Sequence, residues 1–241
     1  GAGDSVNAAG SQVFLDKNAG TGKTVQASGV TIKDSTNADM TGNYNISYVD
    51  NTTSMINKAT LTASLTGTVQ KVYDGLTIAN NITSANYGIL GLATGEGLSV
   101  TQTAGSYASK NVSANGGTGA VTAQLALGDF IANSGTDLNN YNLPITATGN
   151  VGKITPASLT VKANNTATFV TLDPNLATDN GFTYTGFVNG DDQSNALTGT
   201  VTRTYTGAAN PVVGTYTGVY SVNLGSISAD NGNYSIGASA T

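Results

Sequence analysis

The sequence has no cysteine, no histidine and no tryptophan. Without thiols there are no disulfides and no thiolate metal sites. Without histidine and cysteine, the Ser-His and Cys-His arrangements of nucleophilic catalysis are unavailable. The lack of cysteine suits the cytosol. It equally suits an exported protein that crosses a membrane unfolded, where a premature bridge would block passage. Charge is also scarce: 14 acidic and 9 basic residues give a net charge of −5. A nucleic-acid duplex or an anionic bilayer would be repelled on average, and no Lys/Arg cluster provides a local exception. Neither nucleic acid nor direct membrane insertion is expected. The longer apolar stretches, such as YGILGLA at 87–93, are far short of the ~20 residues that span a bilayer. No signal peptide opens the chain, and the polar GAGDSV at its start reads as the interior of something longer.

What is present points to β structure. Glycine occurs 31 times, and most of the polar remainder is Thr, Ser and Asn. Thr, Val, Tyr and Ile favour pleated, half-buried strands, and Gly and Asn favour tight turns. The length of 241 residues fits one large domain or two to three small ones, at roughly 100–200 residues each. The expected class is all-β with at most one or two short helices. The helical signal is confined to GDDQSNALTG (190–199), where an Asp cap precedes a turn or two.

The chain also repeats itself. GNYNISY (42–48) returns as NNYNLPI (139–145) and GNYSIGA (232–238). Their tyrosines, Tyr44, Tyr141 and Tyr234, are 97 and then 93 residues apart. INKATLTASL (56–65) is echoed by ITPASLTVKA (154–163), and LDKNAGTGKTV (15–25) by ASKNVSANGGTGAV (108–121). Each echo alternates apolar and polar residues, as in Leu159, Val161 and Ala163 against Thr160 and Lys162. A period of two gives one buried and one wet face. Turn clusters such as ANGGTG (114–119), NSGTDLNN (133–140) and ADNGN (229–233) separate the runs, as in sandwich-like modules. The expected division is 1–60, the C-terminal part of one module; 61–156, a complete second; and 157–241, a third of different type. The joints hold few flexible residues, so an elongated, fairly stiff rod is expected. Three modules of roughly 40 Å would make it about 100 Å long.

Lys71-Val72-Tyr73-Asp74-Gly75 resembles the YDG module of large bacterial surface adhesins. DKNAGTGKTVQASGVTI (16–32) and the Gly-Asn-Tyr strand are similar to the later half of that module. Residues 157–241 resemble the MBG (mostly β-grasp) module through ITPASLTVKANN, GFVNGDD, NPVVGTYTGVYSV and NGNYSI. The first module has no Tyr-Asp-Gly, and TATFVTLDPN (166–175) stands where the third module usually has a Thr-Tyr-Gly-like step. Such modules occur in tandem in filamentous-haemagglutinin-like exoproteins exported by two-partner (type V) secretion. The resemblance implies a secreted, cell-surface segment associated with a Gram-negative outer membrane, with a role in adhesion and biofilm. Its partners would be neighbouring repeats and a host glycan, matrix or cell-surface receptor. It implies no catalytic residue and no cofactor. With 14 acids, a paired-carboxylate glycosidase stays formally open, but no acid sits in a recognisable catalytic context, and the expectation is that the chain is not an enzyme.

Each candidate site has a structural reading beside its functional one. Tyr73-Asp74-Gly75 reads as a turn, with the Tyr73 ring in the core and its hydroxyl on backbone; the alternative is a carbohydrate or cation contact. VNGDD (188–192) makes Asp191 and Asp192 the first candidates for a calcium ligand, but it lacks the D-x-[DN]-x-[DN]-G frame, and solvated turn carboxylates are the simpler reading. Tyr216 and Tyr220 share a strand face, as core or as a sugar-stacking platform. Sequons at Asn45, Asn51, Asn81, Asn111, Asn164 and Asn233 follow from composition. Lys110 and Asn140 are groups available for an isopeptide crosslink, but nothing selects a pair.

Overall fold

The computed structural model describes residues 3–164, 166–169, 181–207, 213–217 and 220–239. These residues are mostly β, in several small sheets. The one α-helix among them is Gln193–Ala196, and none of the sheets closes into a barrel. Of TATFVTLDPN (166–175) at the opening of the third module, residues 170–175 lie outside the described residues.

Packing divides the chain into two compact units. The first comprises Gly1–Thr62, Ile89–Ser99 and Phe130–Pro144; the second comprises Ala63–Gly88, Val100–Asp129 and Ile145–Thr241. Packing therefore does not follow the repeat period, and the middle repeat contributes to both units. The physical reason is parallel pairing. In the first unit, the strand Ala59–Thr60 pairs parallel with Tyr141–Asn142, Ala59 facing Tyr141. Parallel strands need a long crossover, so the pairing ties residues that are far apart in sequence. The first unit also holds a three-stranded antiparallel sheet of Ser11–Phe14, Gly20–Ser28 and Asn51–Ile56.

In the second unit, the strand Thr146–Thr155 is central. It pairs antiparallel with Gly116–Gln124, and parallel with Thr62–Leu65 and with Val69–Val72. Val69, Tyr107, Val121, Ala123, Ala147 and Ile154 are buried over this sheet. Pro156 alone separates Thr146–Thr155 from the next strand, Ala157–Ala163, in which buried and exposed residues alternate without a break. Burying side chains such as Leu159 and Val161 contributes about 1.5–3 kcal/mol each. Ala157–Ala163 pairs parallel with Tyr234–Ala238, Ala157 facing Tyr234. The Ala-opens, Tyr-closes pairing thus occurs once in each unit. Ala163 and Tyr220 anchor a further cluster with Phe182, Tyr205, Tyr216 and Val222. The two candidate platform tyrosines do not share one strand: Tyr216 lies in Gly214–Thr217 and Tyr220 in Tyr220–Asn223, paired in different sheets, with Tyr220 buried and Tyr216 partly buried against the same cluster.

A close approach accompanies each of these two Ala–Tyr pairs. A Cβ on Gly186 would stand 2.2 Å from the Ser158 carbonyl oxygen, and one on Gly91 would stand 2.5 Å from that of Thr60. Both glycines have positive φ, +115° and +100°. Gly186→Ala should cost about 1–3 kcal/mol, read as a lower denaturant midpoint. Gly237→Ala is the control, because nothing lies within 4 Å of its added carbon. Equal midpoints for the two variants would show that the close approach carries no energy.

Candidate functional site: a repeated tyrosine–carboxylate junction

The Tyr73-Asp74-Gly75 turn is organised by Lys71. The Lys71 ammonium donates to Asp74 Oδ1 (2.7 Å) and to the carbonyls of Leu76 (2.7 Å) and Ile78 (3.0 Å). Its three donors thus meet three acceptors, and it lies 5.3 Å from the centre of the Tyr107 ring. Asp74 Oδ1 also accepts the Leu76 N–H at 2.9 Å. Partial burial opposes ionisation of Asp74, but the hydrogen bonds from Lys71 and Leu76 hold its carboxyl below the ordinary value. Gly75 has φ of 75°, as the turn reading requires. The ring of Tyr73 is buried, but its hydroxyl does not go to backbone. It donates to Asp191 Oδ2 at 3.0 Å.

Asp191 Oδ2 also accepts the Tyr234 hydroxyl at 2.7 Å. The rings of Tyr73 and Tyr234 meet edge to face at 5.4 Å, and Phe187 packs edge to face on Tyr234 at 5.4 Å. The Tyr234 oxygen accepts the Val188 N–H (3.1 Å), and the Asp191 N–H closes a turn onto the Val188 carbonyl (3.0 Å). Asn189, in this turn, donates to the Gly75 carbonyl at 3.1 Å. Burial and then the Asp191 carboxylate push the Tyr234 hydroxyl up to about 12, and the same two causes raise Tyr73. Asp192 serves the helix instead, where its Oδ1 accepts the N–H groups of Ser194 and Asn195 in the first turn. Both calcium candidates thus hold protein donors. Among the described residues, no group of three or more His, Cys, Asp or Glu could hold a metal ion.

The first unit builds the same arrangement from different residues. The Tyr141 hydroxyl donates to Glu96 Oε2 (2.6 Å) and accepts the Ala93 N–H (3.0 Å). The Glu96 N–H closes a turn onto the Ala93 carbonyl at 3.0 Å. Lys17 donates to Glu96 Oε1 at 3.0 Å. Tyr141 and then Lys17 hold the Glu96 carboxyl below its ordinary value. Ala93 to Glu96 and Val188 to Asp191 are therefore equivalent turns, 95 residues apart. A third carboxylate, Asp4, follows Gly3 and accepts the Tyr44 hydroxyl at 2.7 Å.

The asparagines before Tyr141 and Tyr234 make a second link. Asn140 Oδ1 accepts the Ala19 N–H (2.8 Å), and its Nδ2 donates to Asn18 (3.0 Å). Asn233 Oδ1 accepts the Val112 N–H (2.9 Å), and its Nδ2 donates to Asn111 (3.2 Å). Asn18 and Asn111 are presented alike, their N–H groups donating to Asp16 and to Ser109 two residues earlier. The sequon asparagines Asn111 and Asn233 thus bind each other, and Asn233 is buried. The echo of KNA (17–19) in KNV (110–112) is visible in the sequence, but its purpose is not. The correspondence of ATGE (93–96) with VNGD (188–191) escapes a reading of the sequence, although matching Gly-acid pairs are there to find.

The shared Asp191 carboxylate can be probed from both of its tyrosines. Tyr73→Phe keeps the ring and loses one charge-assisted hydrogen bond, which should cost about 1.5–3 kcal/mol in denaturant unfolding. An unchanged midpoint would show the bond to be dispensable. The Tyr234 hydroxyl ionises at higher pH in the folded protein than its ordinary value of 10.0. Its contribution is therefore complete below pH 10, and is lost as pH rises through about 12. Melting temperature should fall through this window, and Tyr234→Phe should flatten the fall. Identical slopes in parent and variant would exclude Tyr234 as the cause.

A family model described as YDG domain matches residues 57–150, and one described as MBG domain (YGX type) matches residues 159–240. No curated protein and no solved structure matches the chain. Among the described residues, no helix is long and apolar enough to cross a membrane. Domains of these two kinds are typical of bacterial surface and secreted repeat proteins. The chain therefore carries a YDG domain at 57–150 and an MBG domain of the YGX type at 159–240.

Proposed function

We propose that the chain is a structural segment of a large secreted bacterial adhesin, exported by a two-partner (type V) route. Its work is mechanical rather than catalytic: it carries a binding region away from the outer membrane. The observation that supports this reading most is how the polar side chains are used. Asp191, Glu96, Asn140 and Asn233 take up hydroxyl, amine and amide donors of the chain itself. They join the segments that recur with the repeat, as a spacer requires. The partners are neighbouring repeats, and the adhesin's receptor is a glycan, a matrix component or another cell surface.

The test is a series of proteins with one, two and three copies of the YDG–MBG pair, measured by small-angle scattering. The expected result is a constant increase in maximal dimension per added pair, a melting temperature unmoved by calcium, and no binding on a glycan array. A saturable rise in melting temperature with calcium, or specific glycan binding, would replace the spacer reading with a ligand-binding module.

A further inference from the structure

The parallel pairings of the second unit share a direction. Each joins an early strand of a repeat to a late one: Val69–Val72 to Thr146–Thr155, and Ala157–Ala163 to Tyr234–Ala238. Force that enters at the opening strand and leaves at the closing strand pulls such a pair past each other along their length. The hydrogen bonds of a parallel ladder run between the strands, across that direction. All of them are then strained together, and none can break alone. An antiparallel hairpin pulled at its two ends instead opens one bond at a time.

The ladder of Ala157–Ala163 with Tyr234–Ala238 is unbroken. Ala157 faces Tyr234, Leu159 faces Ile236, and Val161 faces Ala238. Both ends are closed, by the Ala157 N–H on the Asn233 carbonyl (2.9 Å) and the Ser239 N–H on the Val161 carbonyl (2.9 Å). The opening strand is held along its other edge by Phe182–Thr185. Its Ala157, Leu159, Val161 and Ala163 are buried, which shields that face from water.

The closing strand is anchored at its first residues. The buried Tyr234 ring packs on Tyr73 and Phe187, and its hydroxyl donates to Asp191. Asn233 holds the Val112 N–H and the Asn111 side chain. Both residues stand at the trailing end of the strand when it is drawn towards the C-terminus, so sliding must pull them from their sites. On the opposite side, Pro156 alone separates the opening strand from Thr146–Thr155, where Ile154 faces Lys71 in the other parallel ladder. Tension passes from one ladder to the next without a loose linker.

We propose that the pair of Ala157–Ala163 with Tyr234–Ala238 is a tension-bearing clamp that works in shear. This function goes beyond keeping distance, because the segment resists being drawn out along its own chain. It rests on the adhesin reading for the source of the pull, whereas the directional strength belongs to the strand pair itself.

The chain has no cysteine, so a pair of cysteines introduced into the full chain defines where force is applied. Ser158→Cys with Ala238→Cys loads the ladder in shear. Lys162→Cys with Ala238→Cys places both anchors at one end and peels it. All three positions are exposed. In single-molecule force spectroscopy at one loading rate, the shear pair should rupture at a force at least about twofold higher than the peel pair. Equal rupture forces, or a difference that only follows the two variants' denaturant midpoints, overturns the proposal. The scattering series reads dimension and not resistance, so the clamp and the spacer reading fail separately.

Discussion

The organisation of both units rests on a phenol hydroxyl held between a carboxylate and a turn amide. Tyr234 bridges the Val188 N–H and Asp191, and Tyr141 bridges the Ala93 N–H and Glu96. Each bridge closes the strand that runs parallel to the repeat's opening strand. The ring fills apolar space while its oxygen satisfies one donor and one acceptor. A carboxylate left there without partners would be costly, so each acid requires its tyrosine. The constraint is reciprocal, because a buried phenol also needs an acceptor.

Around this bond the chain uses interchangeable parts. In the second unit Tyr73 supplies the second donor to the carboxylate; in the first, Lys17 does. The two asparagines preceding the tyrosines make the same link with the same geometry, although their partner loops begin with Asp16 in one case and Ser109 in the other. What persists is the pattern of donors and acceptors rather than residue identity. This also gives the Tyr-Asp-Gly sequence a physical meaning. Tyr73 reaches Asp191, Asp74 receives Lys71, and the Gly75 carbonyl receives Asn189.

Much of this is legible in the sequence. The alternation in Ala157–Ala163 names its buried residues one by one. The Asp cap before Gln193 announces the one α-helix among the described residues. The tyrosine echo marks the closing strands at Tyr141 and Tyr234, but its first copy does not form one, since Tyr44 follows a 3-10 turn and lies in no strand. The hydroxyl's partner is not legible, because Asp191 lies 43 residues from Tyr234 and 118 from Tyr73. No local pattern spans such distances. Within 91–96 and 186–191, the equivalent turns share two glycines and an acid, which is too little to stand out in a glycine-rich chain. The division of packing is hidden for a related reason. Periodicity shows which face of a strand is buried, not which distant strand lies beside it.

The parallel pairings have a consequence for when the fold can form. Ala59 meets Tyr141 across 82 residues, and Ala157 meets Tyr234 across 77. Closing such spans is entropically slow. A ribosome makes the opening strand first and the closing tyrosine last, so a nascent chain cannot latch until nearly a whole period has emerged. The arrangement acts as a delay: it keeps each period open during synthesis and lets it set only when its final strand is available.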